Sequence, residues 1–327
     1  LPLFVWMGEI LFRTKLSENL FEGLSPWMEK LPGGLIHVNV VGCALFAAIS
    51  GSSAATVATV GKMSIPELRK RNYPEKILLG SLAGSGTLGL LIPPSIILII
   101  YGVTVQESIA KLFVAGILPG IMIALIFMGY VIVWSILNKK DMPKTDENYT
   151  FLQKIKSSGK LLPVIVLILA VIGSIYTGIA TATEAASLGV VGALILSFFQ
   201  KSLTLQTFKK SLLGATKTSC MIAFILAGSS FLSLAMGFTG LPRNLAIWMQ
   251  EMSLSPYFLI FVLTIFYIIL GMFLDGISAV VLTMAIIEPM IRQAGFDMIW
   301  FGIFLVIVVE MAQITPPVGF NLFVLQG

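Results

Sequence analysis

The chain has 327 residues with a formal net charge of +5; 57% of them are hydrophobic, 11% are charged, and the mean hydropathy is +0.97. This balance excludes a soluble globular domain and predicts an all-α integral membrane protein, because apolar segments of helical length alternate with short polar loops. The excess positive charge lies in those loops, so it does not indicate nucleic-acid binding.

The first segments lead into a polar break within apolar sequence. Residues 1–32 are predicted to hold the end of a scaffold helix and an amphipathic interfacial arm, with Trp27 as an interface anchor. Residues 33–63 are apolar on both sides of a Ser-Gly-Ser-Ser sequence at 50–53. Because each half is too short to span about 30 Å of hydrocarbon alone, this segment is either one kinked span or a re-entrant hairpin.

A second break follows in the next apolar segment. Residues 77–104 carry Pro93 and Pro94 near their centre, and prolines remove backbone donors from a continuous helix. The sequence therefore predicts a broken helix here, within a first repeat of a transport domain at 33–138. Residues 139–236 are predicted to form a cytoplasmic loop and further scaffold helices.

The last part of the chain repeats this order. Residues 237–256 resemble a second interfacial arm, with Trp248 as its anchor, and residues 257–291 form a second predicted hairpin around an Asp-Gly-Ile-Ser sequence. Residues 301–327 contain a second Pro-Pro pair and are predicted to form a second broken helix, so that 257–327 make up a second repeat. Such repetition is typical of transporters whose broken helices meet at a midplane site.

The distribution of Lys and Arg predicts the orientation of the two repeats. These residues are concentrated in three connections, 62–76, 138–160 and 201–217. The positive-inside rule places all three in the cytoplasm. Counting spans from them, we expect the first hairpin to enter the membrane from the cytoplasm and the second from the opposite face. The two repeats are therefore predicted to be inverted.

The residue types at the breaks suggest two kinds of ligand. Ser, Gly and Asp at helix starts leave an N-terminus that favours an anion; the alternative is a close contact between helices through small residues. Carbonyls freed by the prolines, with Thr87, Gly89, Thr315, Gly319 and Asn321 nearby, offer oxygen ligands that suit a hard cation such as Na⁺. The alternative there is a plain proline kink.

A few titratable residues lie in apolar sequence. Asp275 could bind Na⁺, carry a proton or cap the helix that follows it. Glu184 is as well suited to a cap or interfacial role as to transport, and these readings stay open. Glu288 and Glu310 could each pair with a basic residue that the sequence does not identify. We expect a structural role for His37. We expect both cysteines to be small buried residues with structural roles.

Six stretches of sequence carry a resemblance to a known family: LPLFVWMGE (1–9), AAISGSSAATVATVG (47–61), GTLGLLIPPSIILIIYG (86–102), LFVAGILPG (112–120), TGIATATEAA (177–186) and EMAQITPPVGFNLFVLQG (310–327). In these stretches the chain resembles the large membrane subunit of tripartite ATP-independent periplasmic (TRAP) transporters. One departure is Ala182, where the family commonly has Pro. Because family members are longer at both ends, we expect this sequence, which starts at Leu1, to be a piece of a longer chain.

The resemblance implies a fold and a mechanism. The fold would be an inverted-repeat, elevator-type transporter, in which two re-entrant helical hairpins and two Pro-Pro broken helices slide against a scaffold. The function would be Na⁺-coupled symport of a carboxylate across the bacterial inner membrane, with no enzyme activity. The expected partners are a small TRAP membrane subunit, a periplasmic substrate-binding protein and the lipid bilayer.

Carried over residue by residue, the resemblance also implies two Na⁺ sites and a carboxylate site between the hairpin tips. The first Na⁺ site would use Ser50, Ser52, Gly89, Ile92 and Pro94. The second would use Asp275, Gly276, Thr315 and Pro317. The substrate would lie near Ser52, Ser53 and Ser278, with Asn321 as a further contact.

Two other functions stay open. A stand-alone Na⁺/carboxylate symporter would share the fold and need no binding protein. A membrane-embedded hydrolase would need a base beside Ser52 or Ser53, and His37 is well separated from them in the sequence. The sequence holds no P-loop, zinc-ligand spacing or Gly-x-Ser-x-Gly elbow. Among substrates, C4-dicarboxylates, sialic acid, other sugar acids and keto acids all remain.

Overall fold

The fold is helical throughout the described part of the chain, which contains no strand. The computed structural model describes residues 1–14, 16–143, 149–240, 244, 247 and 255–326, without the side chains of 16–18. The helices are α1 (Pro2–Phe12), α2 (Leu16–Met28), α3 (Ile36–Ser50), α4 (Ser53–Lys70), α5 (Glu75–Gly86), α6 (Leu88–Leu91), α7 (Ile96–Thr104), α8 (Ile109–Leu137), α9 (Phe151–Ser158), α10 (Leu162–Tyr176), α11 (Ala182–Phe199), α12 (Leu205–Thr239), α13 (Pro256–Gly271), α14 (Gly276–Gln293), α15 (Met298–Gln313) and α16 (Phe320–Gln326).

Several of these helices have the length and apolar character of membrane spans. Within the described ranges, the helices long and apolar enough to cross a membrane are α8, α11, α12 and α14. The number of candidate spans rises to as many as 6 if each of two bent helix pairs counts as one span. The outward faces of the long helices are apolar, as shown by Leu118 on α8 and Phe238 on α12, which are 76% and 86% exposed. Such faces suit lipid or a membrane partner, so this is an integral membrane protein with several apolar helices.

The first helical pair, α3 and α4, is closed by a short turn at the polar break. Gly51 ends α3 in the left-handed conformation (φ 58°), and Ser52 caps α4 in extended backbone. The two helices pack on each other and on α5. Helix α4 continues to Lys70, beyond the end at 63 expected from hydropathy, because Ser64 and Leu68 still face the interior of the bundle.

The second helical pair is α13 and α14, joined through residues 272–275. Asp275 is the N-cap of α14 and accepts hydrogen bonds from the backbone N–H groups of Ile277 and Ser278, both at 3.1 Å. Helix α14 packs on α12 and α7 as well as on α15. The second helical pair is thus in contact with elements from both halves of the sequence.

Both Pro-Pro pairs interrupt helices. The axis of Glu75–Leu91 bends by 41° into α7, and the second pair separates α15 from the short α16. Both Pro93-Pro94 and Pro316-Pro317 are cis. The surroundings differ, since Pro93 and Pro94 are buried whereas Pro316 and Pro317 are exposed.

Helices from the early and late parts of the sequence pack on one another. Helix α16 packs on α4 and α5, and α15 packs on α6, α7 and α8. Helix α1 packs on α11, α12 and α3, so it links the later helices to the first hairpin. Both cysteines are free: Cys43 is buried as expected, but Cys220 is exposed on α12, so the expectation of burial was wrong there.

Parts of the two predicted arms can be compared with the structure. The first arm contains α2, and the Trp27 indole N–H donates to Ser158 Oγ of α9 at 2.7 Å. In the second arm only 237–240, 244, 247 and 255–256 are described, so Trp248 lies outside the described residues. The predicted loop at 138–160 includes the short helix α9.

Candidate functional site

The first hairpin tip is an ordered polar turn. Thr56 Oγ1 donates to the Ser52 carbonyl oxygen at 2.8 Å, and Ser50 Oγ lies 2.8 Å from Thr56 Oγ1. Ser52 Oγ accepts from the N–H of Ala55 at 3.5 Å. By helix geometry the N–H groups before Ala55 have no partner inside α4, so this end of the helix favours an anion.

This tip lies directly against the first broken helix. The N–H of Ile96 donates to the Gly51 carbonyl oxygen at 3.3 Å. A Cβ on Gly51 would lie 2.7 Å from the Pro94 carbonyl oxygen, and a Cβ on Gly89 would lie 2.6 Å from the Ser52 carbonyl oxygen. These distances show that the backbones of the tip and the break touch, with carbonyl groups of both at the contact.

The second tip is built around Asp275. Both N–H bonds to this residue use Oδ2, and the described hydrogen bonds leave Oδ1 available. Because the carboxylate occupies the N-terminus of α14, this helix end is less open to a second anion than the first tip. Gly276 lies beside α15, where an added Cβ would be 2.6 Å from Gln313 Nε2.

A cavity of about 410 Å³ opens between the two tips. From the hairpins it is lined by Ser50–Ala55 and by Asp275, Gly276 and Ile277. The opposite wall comes from α1 and α12, and the remaining lining comes from α4, α6, α7, α15 and α16. Its volume suits a small organic molecule, and its mixture of an apolar wall with a few polar groups is typical of ligand sites.

The structure brings only some of the predicted site residues to this cavity. Those that line it are Ser50, Ser52, Ser53, Asp275 and Gly276. Gly89 and Pro94 lie behind the first tip at the backbone contact described above, and Ile92 precedes that proline pair in extended backbone. Ser278 lies in the first turn of α14, next to the lining residues.

The predicted residues of the second break lie apart from the cavity lining. Thr315 Oγ1 donates to the Met311 carbonyl oxygen at 2.8 Å, and Pro317 is exposed. Asn321 is fully buried on α16, and both of its side-chain polar atoms lack a partner among the described residues. Asn321 is thus placed to hold a buried polar ligand or water, but it does not line the cavity.

Some polar residues at the site, including the three described next, were not among the predicted ones. Glu310 on α15 lies with its Oε1 atom 2.8 Å from Ser53 Oγ. Gln313, one turn further along, lines the cavity with a buried side-chain oxygen that has no described partner. Glu9 lines it from α1 and is paired with Arg13 at 2.7 Å. An intramembrane carboxylate was the available signal for Glu310.

The remaining titratable residues lie outside the cavity lining. Glu184 Oε2 accepts from the N–H and the hydroxyl of Thr181, both at 2.8 Å, which is a capping box at the start of α11. Glu288 pairs with Arg292 at 2.9 Å. His37 Nε2 lies 2.8 Å from the Pro32 carbonyl oxygen, a local structural contact as expected.

Comparisons with known proteins agree with this architecture. Residues 1–327 match the family described as tripartite ATP-independent periplasmic transporter, DctM component. The chain is 33% identical to the C4-dicarboxylate TRAP transporter large permease protein of Pseudomonas aeruginosa, over 99% of the chain and 75% of that protein. It is 31% identical to the 2,3-diketo-L-gulonate TRAP transporter large permease protein of Escherichia coli, over 100% of the chain and 76% of that protein. It is also 32% identical to the isethionate TRAP transporter permease protein of Oleidesulfovibrio alaskensis, a protein of which it covers 51%.

Proposed function

The chain belongs to the DctM component family of TRAP transporters, and from this premise we propose that it carries out Na⁺-coupled uptake of an organic anion across a bacterial inner membrane. The family is one of transporter permeases, and the chain has the several apolar helices of an integral membrane protein. The observation that carries the proposal is the cavity between the two hairpin tips, which is lined by the starts of two helices.

The anion is proposed to bind at the first tip. There the N-terminus of α4 offers N–H groups without helical partners, beside the hydroxyls of Ser52 and Ser53. Ser278, in the first turn of α14, is proposed as a further contact from the second tip. The names of the relatives, which include a C4-dicarboxylate, a keto sugar acid and isethionate, support a small organic anion as the substrate class.

Two Na⁺ ions are proposed to bind where each tip meets the nearby break. At the first, the hydroxyls of Ser50 and Ser52 join the backbone carbonyls of Gly89, Ile92 and Pro94. The close backbone contact of tip and break supports this set, which consists of oxygens and suits a hard cation. At the second, Asp275 and Gly276 would combine with Thr315 and Pro317.

The transport step is proposed to be an elevator movement. The two hairpins and the two broken helices interlock through α16 and α4, which supports their moving as one body. Helices α1, α10, α11 and α12 would form the scaffold, and the charge distribution orients the two repeats in opposite directions. Spin-label distances between α12 and the hairpins that stay constant through the transport cycle would contradict this movement.

The partners are proposed to be a small TRAP membrane subunit and a periplasmic binding protein. The relative from Oleidesulfovibrio alaskensis is named DctMQ, and this chain covers about half of it. The alternative is a stand-alone symporter that takes its substrate directly from the periplasm. The distinction depends on whether a soluble binding protein is required.

Uptake by the full-length permease with its small membrane partner in proteoliposomes tests the proposal. A labelled panel of succinate, 2,3-diketo-L-gulonate, isethionate, sialic acid and pyruvate is offered with and without an inward Na⁺ gradient and a cognate binding protein. We expect uptake of one or more acids only when both are present. Uptake with Na⁺ alone would favour the stand-alone symporter, and uptake that is independent of Na⁺ would contradict the coupling.

Replacing Ser52 by alanine is expected to reduce uptake. The substitution removes one predicted ligand of both Na⁺ and substrate and a cap that stabilises α4 by about 1 kcal/mol. We expect at least about a tenfold fall in rate, which corresponds to about 1.4 kcal/mol. The matched control is Ser255→Ala, because Ser255 caps α13 through the N–H of Phe258 at 3.2 Å but lies outside the cavity lining. Equal uptake rates for Ser52→Ala and Ser255→Ala would mean that the Ser52 side chain binds neither Na⁺ nor the substrate.

A further inference from the structure

Glu310 is a buried carboxyl group that joins the two repeats at the site. It is 4% exposed, and Ser53, at the start of α4, is 2% exposed. Glu310 Oε1 lies 2.8 Å from Ser53 Oγ, whereas Oε2 is buried without a hydrogen-bond partner among the described residues. Among the described residues the carboxyl group therefore has one hydrogen-bond partner, and that partner is a residue of the proposed substrate site.

Among the described residues, no basic side chain pairs with this carboxyl group. None of the ion pairs in the described ranges includes Glu310. On the helices packed against α15, the charged side chains are Lys111, Glu288 and Arg292. Glu288 and Arg292 pair with each other and lie about 18 Å and about 24 Å, respectively, from Gly276 along α14, and Lys111 is exposed at the start of α8.

The other titratable groups that the structure describes near α15 offer no positive charge either. Those on the packed helices are Tyr101, Tyr130, Tyr257 and Tyr267. Asp275 at the second tip would repel a second carboxylate, and the charged residues of α4 lie in its last turns, from Lys62 onward. A carboxylate left in such surroundings would lose its hydration without a basic side chain to compensate its charge, which favours the neutral acid.

The protonation state of Glu310 decides what Ser53 can offer to an anion. A hydroxyl has one hydrogen to donate, and an ionised carboxylate can only accept. If Glu310 were ionised, Ser53 would donate its hydrogen to Oε1 and could not donate to a substrate carboxylate. If Glu310 is neutral, its O–H donates to Ser53 Oγ, and the hydrogen of Ser53 is free to donate to the substrate. Burying the remaining carbonyl oxygen of a neutral acid without a hydrogen bond also costs less free energy than burying a carboxylate oxygen in the same way.

We propose that Glu310 is a positioning residue that stays a neutral carboxylic acid while the anion is bound and that orients the Ser53 hydroxyl to donate to it. The inference rests on the proposed function, since it requires an anionic substrate beside Ser53. Two hydrogen bonds then follow one another: the O–H of Glu310 donates to Ser53 Oγ, and the O–H of Ser53 donates to the substrate. No covalent step and no transfer of the proton is involved.

Two substitutions separate the neutral acid from the carboxylate. Glu310→Gln keeps the shape of the neutral acid, and its amide N–H can still donate to Ser53. Glu310→Ala leaves Ser53 without that donor. Using the panel acid that the wild-type protein takes up fastest, we expect uptake to fall at least about tenfold in Glu310→Ala and to recover to within about threefold of wild type in Glu310→Gln. The matched control, Glu288→Gln, changes a carboxylate of the same helix bundle that is paired with Arg292.

A spectroscopic readout tests the protonation state itself. The infrared difference spectrum between wild type and Glu310→Gln is recorded at neutral pH, with both proteins saturated with Na⁺ and the same acid. We expect the wild type to show the carbonyl band of a protonated carboxyl group, shifted in heavy water, that the variant lacks. If the only bands that wild type has and Glu310→Gln lacks are those of an ionised carboxylate, Glu310 is charged and the inference is overturned. A folded Glu310→Gln protein as inactive as Glu310→Ala would also overturn it. Wild-type uptake in the same assay tests the proposed function separately, because it does not depend on either variant.

Discussion

Substitution of Gly89 by alanine is expected to abolish uptake. The added Cβ would lie 2.6 Å from the Ser52 carbonyl oxygen and 2.7 Å from Ser53 Cα, and both are backbone atoms that cannot turn aside as a flexible side chain can. Either the hairpin tip or the broken helix must move. Overpacking of this kind lowers the free energy of unfolding by about 1–3 kcal/mol. A displacement of about 1 Å among the groups that position a substrate can slow the step they support on the order of a hundredfold.

Gly80→Ala is the matched control for this effect. Gly80 lies in the neighbouring helix α5, and a Cβ there meets no atom within 4 Å. Since alanine is the better helix former, we expect this variant to be stabilised by about 0.5–1 kcal/mol and to transport at the wild-type rate. Initial uptake rates per folded protein, measured after size-exclusion chromatography, decide the matter. Wild-type uptake by Gly89→Ala would mean that the contact between tip and break is not needed for transport.

Asp275→Asn is expected to weaken Na⁺ coupling without removing the helix cap. Asparagine caps helices about as well as aspartate, so the N–H bonds of Ile277 and Ser278 can be kept while the charge is lost. If Asp275 is a Na⁺ ligand, the Na⁺ concentration that gives half-maximal uptake should rise at least about tenfold. Asp275→Ala, which removes both roles, should be inactive.

The control for the charge is Asp297→Asn. Asp297 caps α15 through the N–H of Trp300 at 2.9 Å and lies outside the cavity lining. We expect its Na⁺ dependence to match that of wild type. If Asp275→Asn also keeps the wild-type Na⁺ dependence, Asp275 acts as a cap only, and the second Na⁺ site must be built from other groups.

The positions of the two helical pairs and the two breaks could be predicted from the sequence. Each has a strong local signal, namely the Ser-Gly-Ser-Ser sequence at 50–53, the Asp-Gly-Ile-Ser sequence at 275–278 and the paired prolines. The extent of α4 could not be predicted, because the apolar sequence ends at residue 63, whereas the helix continues to Lys70 with Ser64 and Leu68 buried in the bundle. Boundaries of this kind depend on tertiary packing, which local composition does not contain.

The composition of the cavity was harder to predict than its existence. The contact between Ser53 and Glu310 joins residues 257 positions apart, so no local pattern links them. Thr315 and Pro317 are not among the residues that line the cavity, and Pro317 is exposed, so the second Na⁺ site that includes them stays a prediction. Residue type indicates which groups can coordinate an ion, but only the folded arrangement shows which of them converge.

Binding of the transported acid to the purified permease and its small membrane partner, measured by isothermal titration calorimetry in matched Na⁺ and K⁺ buffers, tests the central claim most directly. The cavity between the tips is proposed to hold the anion next to two Na⁺ ions, so each ion should favour binding of the other. We expect saturable heat in Na⁺, little or none in K⁺, and a weakened Na⁺ response in Asp275→Asn. Equal affinity for the acid in Na⁺ and K⁺ would contradict a shared Na⁺ and anion site at the hairpin tips.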